Sequence, residues 1–243
     1  MRILILGGTA EARELAGRLV ALGHAVTTSL AGRTSSPVLP AGELRVGKFG
    51  GIPGLVGYLN AMRFERLVDA THPYAGLISS NAVAAAQQSG IPLVRFMRPE
   101  WAEPAGADWV HVPDVDGAAA ALPRNATALI TTGHEGLDKL LARDDCRLIV
   151  RLIEAPQMAL PRQAQLVLDR PPYSLPHELA LCRRYGVTVL VTKNSGGEQT
   201  VAKLEAAREL GAQVIMIDRP VYGRAQEVGS VDEAVTAVVG PIG

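Results

Sequence analysis

Met1-Arg-Ile-Leu-Ile-Leu-Gly-Gly-Thr-Ala-Glu-Ala-Arg-Glu-Leu15 opens the chain, and its reading decides the fold. Residues 2–6 read as a strand: after Arg2, Ile3 to Leu6 are an unbroken apolar run, the pattern of a strand covered on both faces. Gly7-Gly8-Thr9 ends that run. From Ala10 to Leu22 the residues favour a helix, with Ala12, Leu15, Ala16 and Leu19 on one stripe. A strand, a two-glycine turn and a helix start aim unpaired N–H groups and a positive dipole end at one point, which suits a phosphate. The three-glycine dinucleotide fingerprint is met only by Gly7 and the small Ala12. A tight turn with Thr9 as helix cap accounts for the same residues equally well.

The next strand-like run, Ala25 to Leu30, tips the balance toward a dinucleotide. A site for an unphosphorylated ribose places Asp or Glu near the end of this strand. Here Ala31-Gly-Arg-Thr-Ser-Ser36 follows instead. Arg33 with the Thr34 hydroxyl would hold a 2′-phosphate, so NADPH or NADP is the expected cofactor; a solvated loop arginine is the plain alternative.

Lys plus Arg and Asp plus Glu both number 24, so no basic excess points to nucleic acid or a membrane surface. The two cysteines, Cys146 and Cys182, are too far apart for a zinc motif and too few for a disulfide framework. No apolar run approaches the roughly 20 residues of a membrane helix, and the N-terminal run is too short for a signal peptide core. A cytoplasmic protein with no membrane or nucleic-acid partner is expected, as a monomer or small homo-oligomer.

Apolar runs alternate with helical stretches along the chain. Further strands are expected at 66–70, 92–96, 109–112, 128–132, 147–153, 187–191 and 213–217. Helices are expected at 53–62, 76–89, 115–122, 136–142, 176–185, 197–210 and 231–239. This rhythm implies βαβ units and parallel sheets. Arg98-Pro-Glu-Trp-Ala-Glu-Pro-Ala-Gly-Ala107 interrupts it and reads as a crossing between domains. The expected fold class is α/β: two Rossmann-like domains, 1–98 and 99–243, with parallel sheets flanked by helices and a ligand cleft between them.

Such folds bind ligands beyond the carboxyl ends of their strands. Two turns at those ends concentrate polar chemistry. Asp69-Ala-Thr-His-Pro-Tyr-Ala-Gly76 places Thr71, His72 and Tyr74 around a proline that keeps His72 out of helical conformation. His72 or Tyr74 could donate a proton or hold a carboxylate; capping, backbone hydrogen bonding and packing are the plainer roles. Thr192-Lys-Asn-Ser-Gly-Gly197, with Thr200 and Lys203 beyond, repeats the strand, paired glycines and helix start of the N-terminus. It is suited to an anion, with helix capping by Ser195 as the alternative. Thr131-Thr-Gly-His134 closes another strand in a similar way.

Several motifs fail on inspection. Gly42 to Lys48 has GxxxxGK spacing, but Phe49 stands where a magnesium-binding hydroxyl is needed and no buried strand is expected before it. No Tyr has Lys four positions on, no GxSxG elbow occurs, and His134-Glu135 lacks the second histidine of a zinc helix. No metal is expected.

Taken together, Gly7-Gly8-Thr9 with Glu11-Ala12, Asp69-Ala-Thr-His-Pro-Tyr-Ala75, Arg98-Pro-Glu-Trp101, and Lys193-Asn-Ser-Gly-Gly197 with Thr200 and Lys203 resemble the precorrin-6A reductase family of cobalamin biosynthesis. The resemblance spans nearly the whole chain. It implies an NADPH-dependent reductase acting on one double bond of a corrin precursor to give precorrin-6B, with some relatives using the cobalt-containing precursor. On that reading Gly7, Gly8 and Thr9 hold the pyrophosphate, while Arg33 and Thr34 hold the 2′-phosphate. Thr71, His72 and Tyr74 sit by the nicotinamide and the reacting ring, with Tyr74 and His72 as catalytic candidates. Lys193, Asn194, Ser195, Gly196, Gly197, Thr200 and Lys203 face the substrate. Its many acetate and propionate carboxylates could also be met by Arg95 or Arg151. A nucleotide-sugar transferase and a non-catalytic dinucleotide sensor remain the rival readings.

Overall fold

The structure, a computed structural model, describes residues 1–32 and 38–240. They group into two units: residues 1–99 together with those from Pro220 onward, and Glu100–Arg219.

The first unit is built on six strands: β1 (Arg2–Leu6), β2 (Ala25–Leu30), β3 (Glu43–Val46), β4 (Arg66–Asp69), β5 (Leu93–Phe96) and β12 (Gln226–Val228). Their order is β12-β5-β4-β1-β2-β3, and every neighbouring pair is parallel. Parallel strands need crossovers, supplied here by α1 (Ala10–Ala21), α2 (Gly51–Ala61) and α3 (Gly76–Ser89). The stripe read on α1 is the buried one: Ala12, Leu15, Ala16 and Leu19 pack with Ile3, Ile5 and Val68. Leu55 and Leu59 of α2 join Ala82 and Ala85 of α3 against Leu4, Leu6 and Leu67 on the other side. Residues 3–6 of β1, and Leu67 and Val68 of β4, thus give an apolar surface on both faces, as a central parallel strand requires.

The second unit repeats the plan. Its strands are β6 (Trp109–Val112), β7 (Thr127–Ile130), β8 (Arg147–Leu152), β9 (Ala164–Leu168), β10 (Val189–Lys193) and β11 (Gln213–Ile217). They run β6-β11-β10-β7-β8-β9, all parallel. The helices are α4 (Val115–Ala121), α5 (Leu137–Leu141), α6 (Leu175–Tyr185) and α7 (Ala202–Glu209). Each sheet reverses its winding at one place, between β1 and β4 in the first unit and between β7 and β10 in the second.

The division of the chain differs from the expected cut at 98/99. Residues 99–243 do not form one body, because the C-terminal stretch completes the first sheet. β12 pairs with β5 in register Gln226↔Val94 to Val228↔Phe96. Helix α8 (Val231–Val239) buries Ala234, Val235 and Val238 in the same core cluster as α1. Arg66 donates to the carbonyls of Val238 and Gly240, securing the end of the helix. Three strands went unread in the sequence: β3, β9 and β12. All are sheet edges, and mostly exposed or half-buried residues make them up, so the apolar signal that marked the interior strands is absent. The rejected GxxxxGK stretch is edge strand β3 with its flanks.

Candidate cofactor and substrate sites

At the winding reversal of the first sheet, two turns lie side by side. Gly7 donates its N–H to Ser29 O, and a Cβ on Gly7 would fall 2.8 Å from Thr28 Cγ2, so only glycine lets β1 leave the sheet this close to β2. Gly8 has φ +124°, and a Cβ built on it meets nothing within 4 Å. Glycine is needed there for conformation rather than space, and the turn presents open backbone. Thr9 is the N-cap of α1: its Oγ1 accepts from Ala12 N at 3.1 Å and donates to Ala70 O at 3.0 Å. One hydroxyl thereby fixes the start of α1 and ties it to the end of β4. The expected cap is therefore present, and capping leaves the remaining first-turn N–H groups directed outward.

The β4 turn is held from inside. Asp69 is buried, and its Oδ1 accepts from the Thr71 hydroxyl at 2.6 Å and the Thr71 N–H at 3.3 Å. Ser79 Oγ lies 3.3 Å from the same hydroxyl. His72 is exposed; its Nδ1 accepts from Tyr74 N at 3.3 Å, and the two rings lie 5.8 Å apart. Thr9, Glu11, Thr71, Pro73, Phe96 and Arg98 line a small depression beside these turns. Arg98 Nη1 pairs with Glu11 Oε1 at 2.7 Å, offsetting the negative charge that Glu11 brings to the first turn of α1. Gly7, Gly8, Thr9, Thr71 and Pro73 are thus brought together in one unit, with His72 and Tyr74 on the same turn. Arg33 and Thr34 lie outside the described residues.

One contributor was not readable from sequence. Tyr222, in the irregular stretch before β12, donates its hydroxyl to Pro73 O at 2.6 Å. Its ring lies against Gly76, the first residue of α3, where a Cβ would sit 3.9 Å from Cε1. No spacing or motif marks a residue 149 positions away as the brace of this turn.

In the second unit, the other predicted anion turn lies at the corresponding reversal. β10 runs two residues further than expected, so Thr192 and Lys193 end the strand and are buried. Lys193 Nζ lies 4.0 Å from Glu135 Oε2, beyond the neighbouring strand β7. Thr131 Oγ1 donates to Val191 O at 3.0 Å and joins the two strand ends. Ser195 does not cap a helix. Its N–H and Oγ both turn back to Lys193 O, at 2.8 and 3.5 Å. Gly196 and Gly197 follow at φ +66° and +81°, and α7 begins only at Ala202, leaving Thr200 in the intervening turn.

Asn194 is engaged by Trp101. Its Oδ1 accepts from Trp101 N at 2.9 Å and its Nδ2 donates to Trp101 O at 3.2 Å. The indole Nε1 donates to Gly197 O at 3.0 Å, and Lys203 Nζ sits 5.0 Å from the ring centroid. Lys203 itself is largely buried.

The two arginines expected as extra carboxylate holders serve the fold. Arg95 is 1% exposed, donates to Gly223 O and Glu227 Oε1, both at 3.0 Å, and faces Asp69 at 3.6 Å. Arg151 is paired with fully buried Glu178 and lies 4.0 Å over the Tyr173 ring. The Tyr173 ring also stacks on His177, whose Nε2 lies 2.7 Å from Asp169 Oδ2. Burial pushes the Tyr173 phenol up to about 12, against the opposing pull of Arg151. Burial likewise raises the Cys182 thiol to about 11. No group of three or more His, Cys, Asp or Glu residues among those described could hold a metal ion, and no helix among them is long and apolar enough to cross a membrane.

Comparison with known proteins places the whole chain. The model of the family described as precorrin-6x reductase CbiJ/CobK matches residues 2–239. The precorrin-6A reductase of Rhodococcus erythropolis is 45% identical over 239 residues, 98% of this chain and 96% of the relative. The cobalt-precorrin-6A reductase of Priestia megaterium is 32% identical, with 98% of each chain covered. A solved structure described as CobK precorrin-6A reductase aligns with a TM-score of 0.92 at 39% identity, covering 98% of this chain and 95% of the other. A match of this extent, on the same fold, makes the chain a member of the precorrin-6x reductase CbiJ/CobK family.

Proposed function

We propose that this protein reduces one double bond of precorrin-6A with NADPH, giving precorrin-6B in cobalamin biosynthesis. The observation that carries the reading is the coincidence of family and place: the glycine turn and the Thr71–Tyr74 turn lie at the one reversal of a parallel sheet, where such folds take dinucleotides. The chain's residues suit the cofactor, since Gly8 combines a left-handed backbone with open space at a helix start. When bound, NADPH supplies the hydride.

Gly7, Gly8 and Thr9 receive the pyrophosphate at the start of α1, and Arg33 with Thr34 reads the 2′-phosphate. Thr71 and His72 orient the nicotinamide end, with Thr71 held rigid by Asp69. Tyr74 is the first candidate to deliver a proton to the carbon beside the one reduced; His72 is the second. Lys193 to Gly197, Thr200 and Lys203 hold substrate carboxylates. The cobalt-free macrocycle is favoured over the cobalt-containing one because the more similar relatives carry the cobalt-free name.

Anaerobic incubation with NADPH and each macrocycle, followed by absorbance, tests the reaction. NADPH oxidation coupled to macrocycle reduction is the expected result. Binding without turnover indicates a sensor, and no NADPH binding sinks the reductase reading. Arg33→Ala should weaken NADPH far more than NADH, by about 1.5–3 kcal/mol for a charge-assisted phosphate contact. Equal losses would remove Arg33 from the cofactor site. Unchanged turnover in Tyr74→Phe would do the same for the phenol as proton donor.

A further inference from the structure

Asn194, Gly197 and Lys203, three of the residues proposed to meet the substrate, share one neighbour that itself carries no charge. We infer that Trp101 is the positioning residue of the substrate turn, setting both the Asn194–Gly197 backbone and the Lys203 ammonium. This rests on the reading of that turn and Lys203 as substrate-binding.

The geometry separates Trp101 from an ordinary core aromatic. Its backbone N–H and C=O are both taken by the Asn194 carboxamide, at 2.9 and 3.2 Å, an arrangement that imitates one rung of a sheet. Its indole N–H is spent on Gly197 O at 3.0 Å. Asn194 and Gly197 bracket Ser195 and Gly196, so Trp101 grips both ends of a four-residue turn. Two consecutive left-handed glycines leave that turn with little conformational preference of its own, and a fixed partner must supply what the backbone does not. The ring then offers its face to Lys203 Nζ at 5.0 Å, a cation–π contact that steadies a cation without neutralising it.

The turn has a second anchor on the same side. Arg219 Nε donates to Asn194 O at 2.7 Å, and Asn194 N donates to Ile217 O at 3.0 Å. Those bonds hold Asn194 when Trp101 is altered, so variants at 101 should loosen the turn without unfolding it.

The test uses the whole enzyme with NADPH and the macrocycle. Trp101→Phe keeps the backbone pairing and an aromatic face but loses the bond to Gly197; Trp101→Leu loses the ring as well. KM for the macrocycle should rise about three- to tenfold in Trp101→Phe and further in Trp101→Leu, with kcat and NADPH affinity held. Lys203→Met should raise the same KM. The ring's share of the effect acts through Lys203, so on the Lys203→Met background Trp101→Leu should raise KM no further than Trp101→Phe does alone, only the bond to Gly197 being left to lose. Fully additive effects, or a lowered melting temperature with KM unchanged, overturn the inference. An unchanged KM in Lys203→Met is a different failure: it removes Lys203 from the substrate site and the inference with it. A raised KM in Lys203→Met beside unaltered Trp101 variants leaves the site standing and refutes the role of Trp101 alone.

Discussion

Tyr173 shows how a single residue's surroundings become a measurable property. The phenol donates to Asp169 O at 3.1 Å, and its ring contacts both Arg151 and His177. With the phenol raised to about 12 from an ordinary 10, the folded state prefers it neutral. The unfolded chain loses this proton first, so the contribution to stability is intact below pH about 10 and disappears as pH climbs from about 10 to 12. Urea midpoints across that window should fall more steeply in the wild type than in Tyr173→Phe. Parallel curves would refute the assignment. At this scale the sequence disclosed the chemistry of turns but not their bracing. Thr71, His72 and Tyr74 stood out because hydroxyl, imidazole and phenol crowd around a proline. Tyr222 and Trp101, which hold the two candidate turns, act through contacts that local spacing does not encode, and Arg95 and Arg151 look like ligand-binding cations until their buried partners are seen.

Among the elements, α1 joins fold and site most directly. Thr9→Ala removes the cap and the bond to Ala70 O together, while Thr9→Ser keeps a hydroxyl. The alanine variant should lose about 0.5–2 kcal/mol in urea unfolding and bind NADPH more weakly, with serine restoring most of both. Full NADPH affinity in the alanine variant would show that the turn holds its shape without the cap. Interior strands were readable because both faces are covered and the residues run apolar without a break, as in Ile3 to Leu6 and Val189 to Val191. Edge strands β3, β9 and β12 were not, since one side of each meets solvent and their side chains are mixed. The start of α7 was misplaced for a related reason: Gly196 and Gly197 mimic the N-terminal glycine turn, yet here a further turn intervenes before the helix.

Over the whole molecule, the decisive feature is that the first unit draws on both ends of the chain. Val238 in α8 is fully buried in the cluster that contains Leu15 of α1 and Ile5 of β1. Val238→Ala should cost about 2 kcal/mol from lost burial and the cavity left behind. Hydrogen exchange should quicken in β1, β4 and α1 as well as in α8, while amides of β7 and β10 keep their protection. Equal acceleration in β7 and β10 would mean that the two units open as one.

The late arrival of β12 and α8 also shapes how the protein is made. As the nascent chain leaves the ribosome, residues 1–99 can pair five strands, but β5 keeps a bare edge and α1 lacks its apolar cover until residues 226–239 emerge. Residues 100–219, by contrast, contain every strand of their own sheet and can close first. The half-built first sheet must therefore wait through synthesis of the entire second unit, a period in which a chaperone that shields strand edges has most to protect.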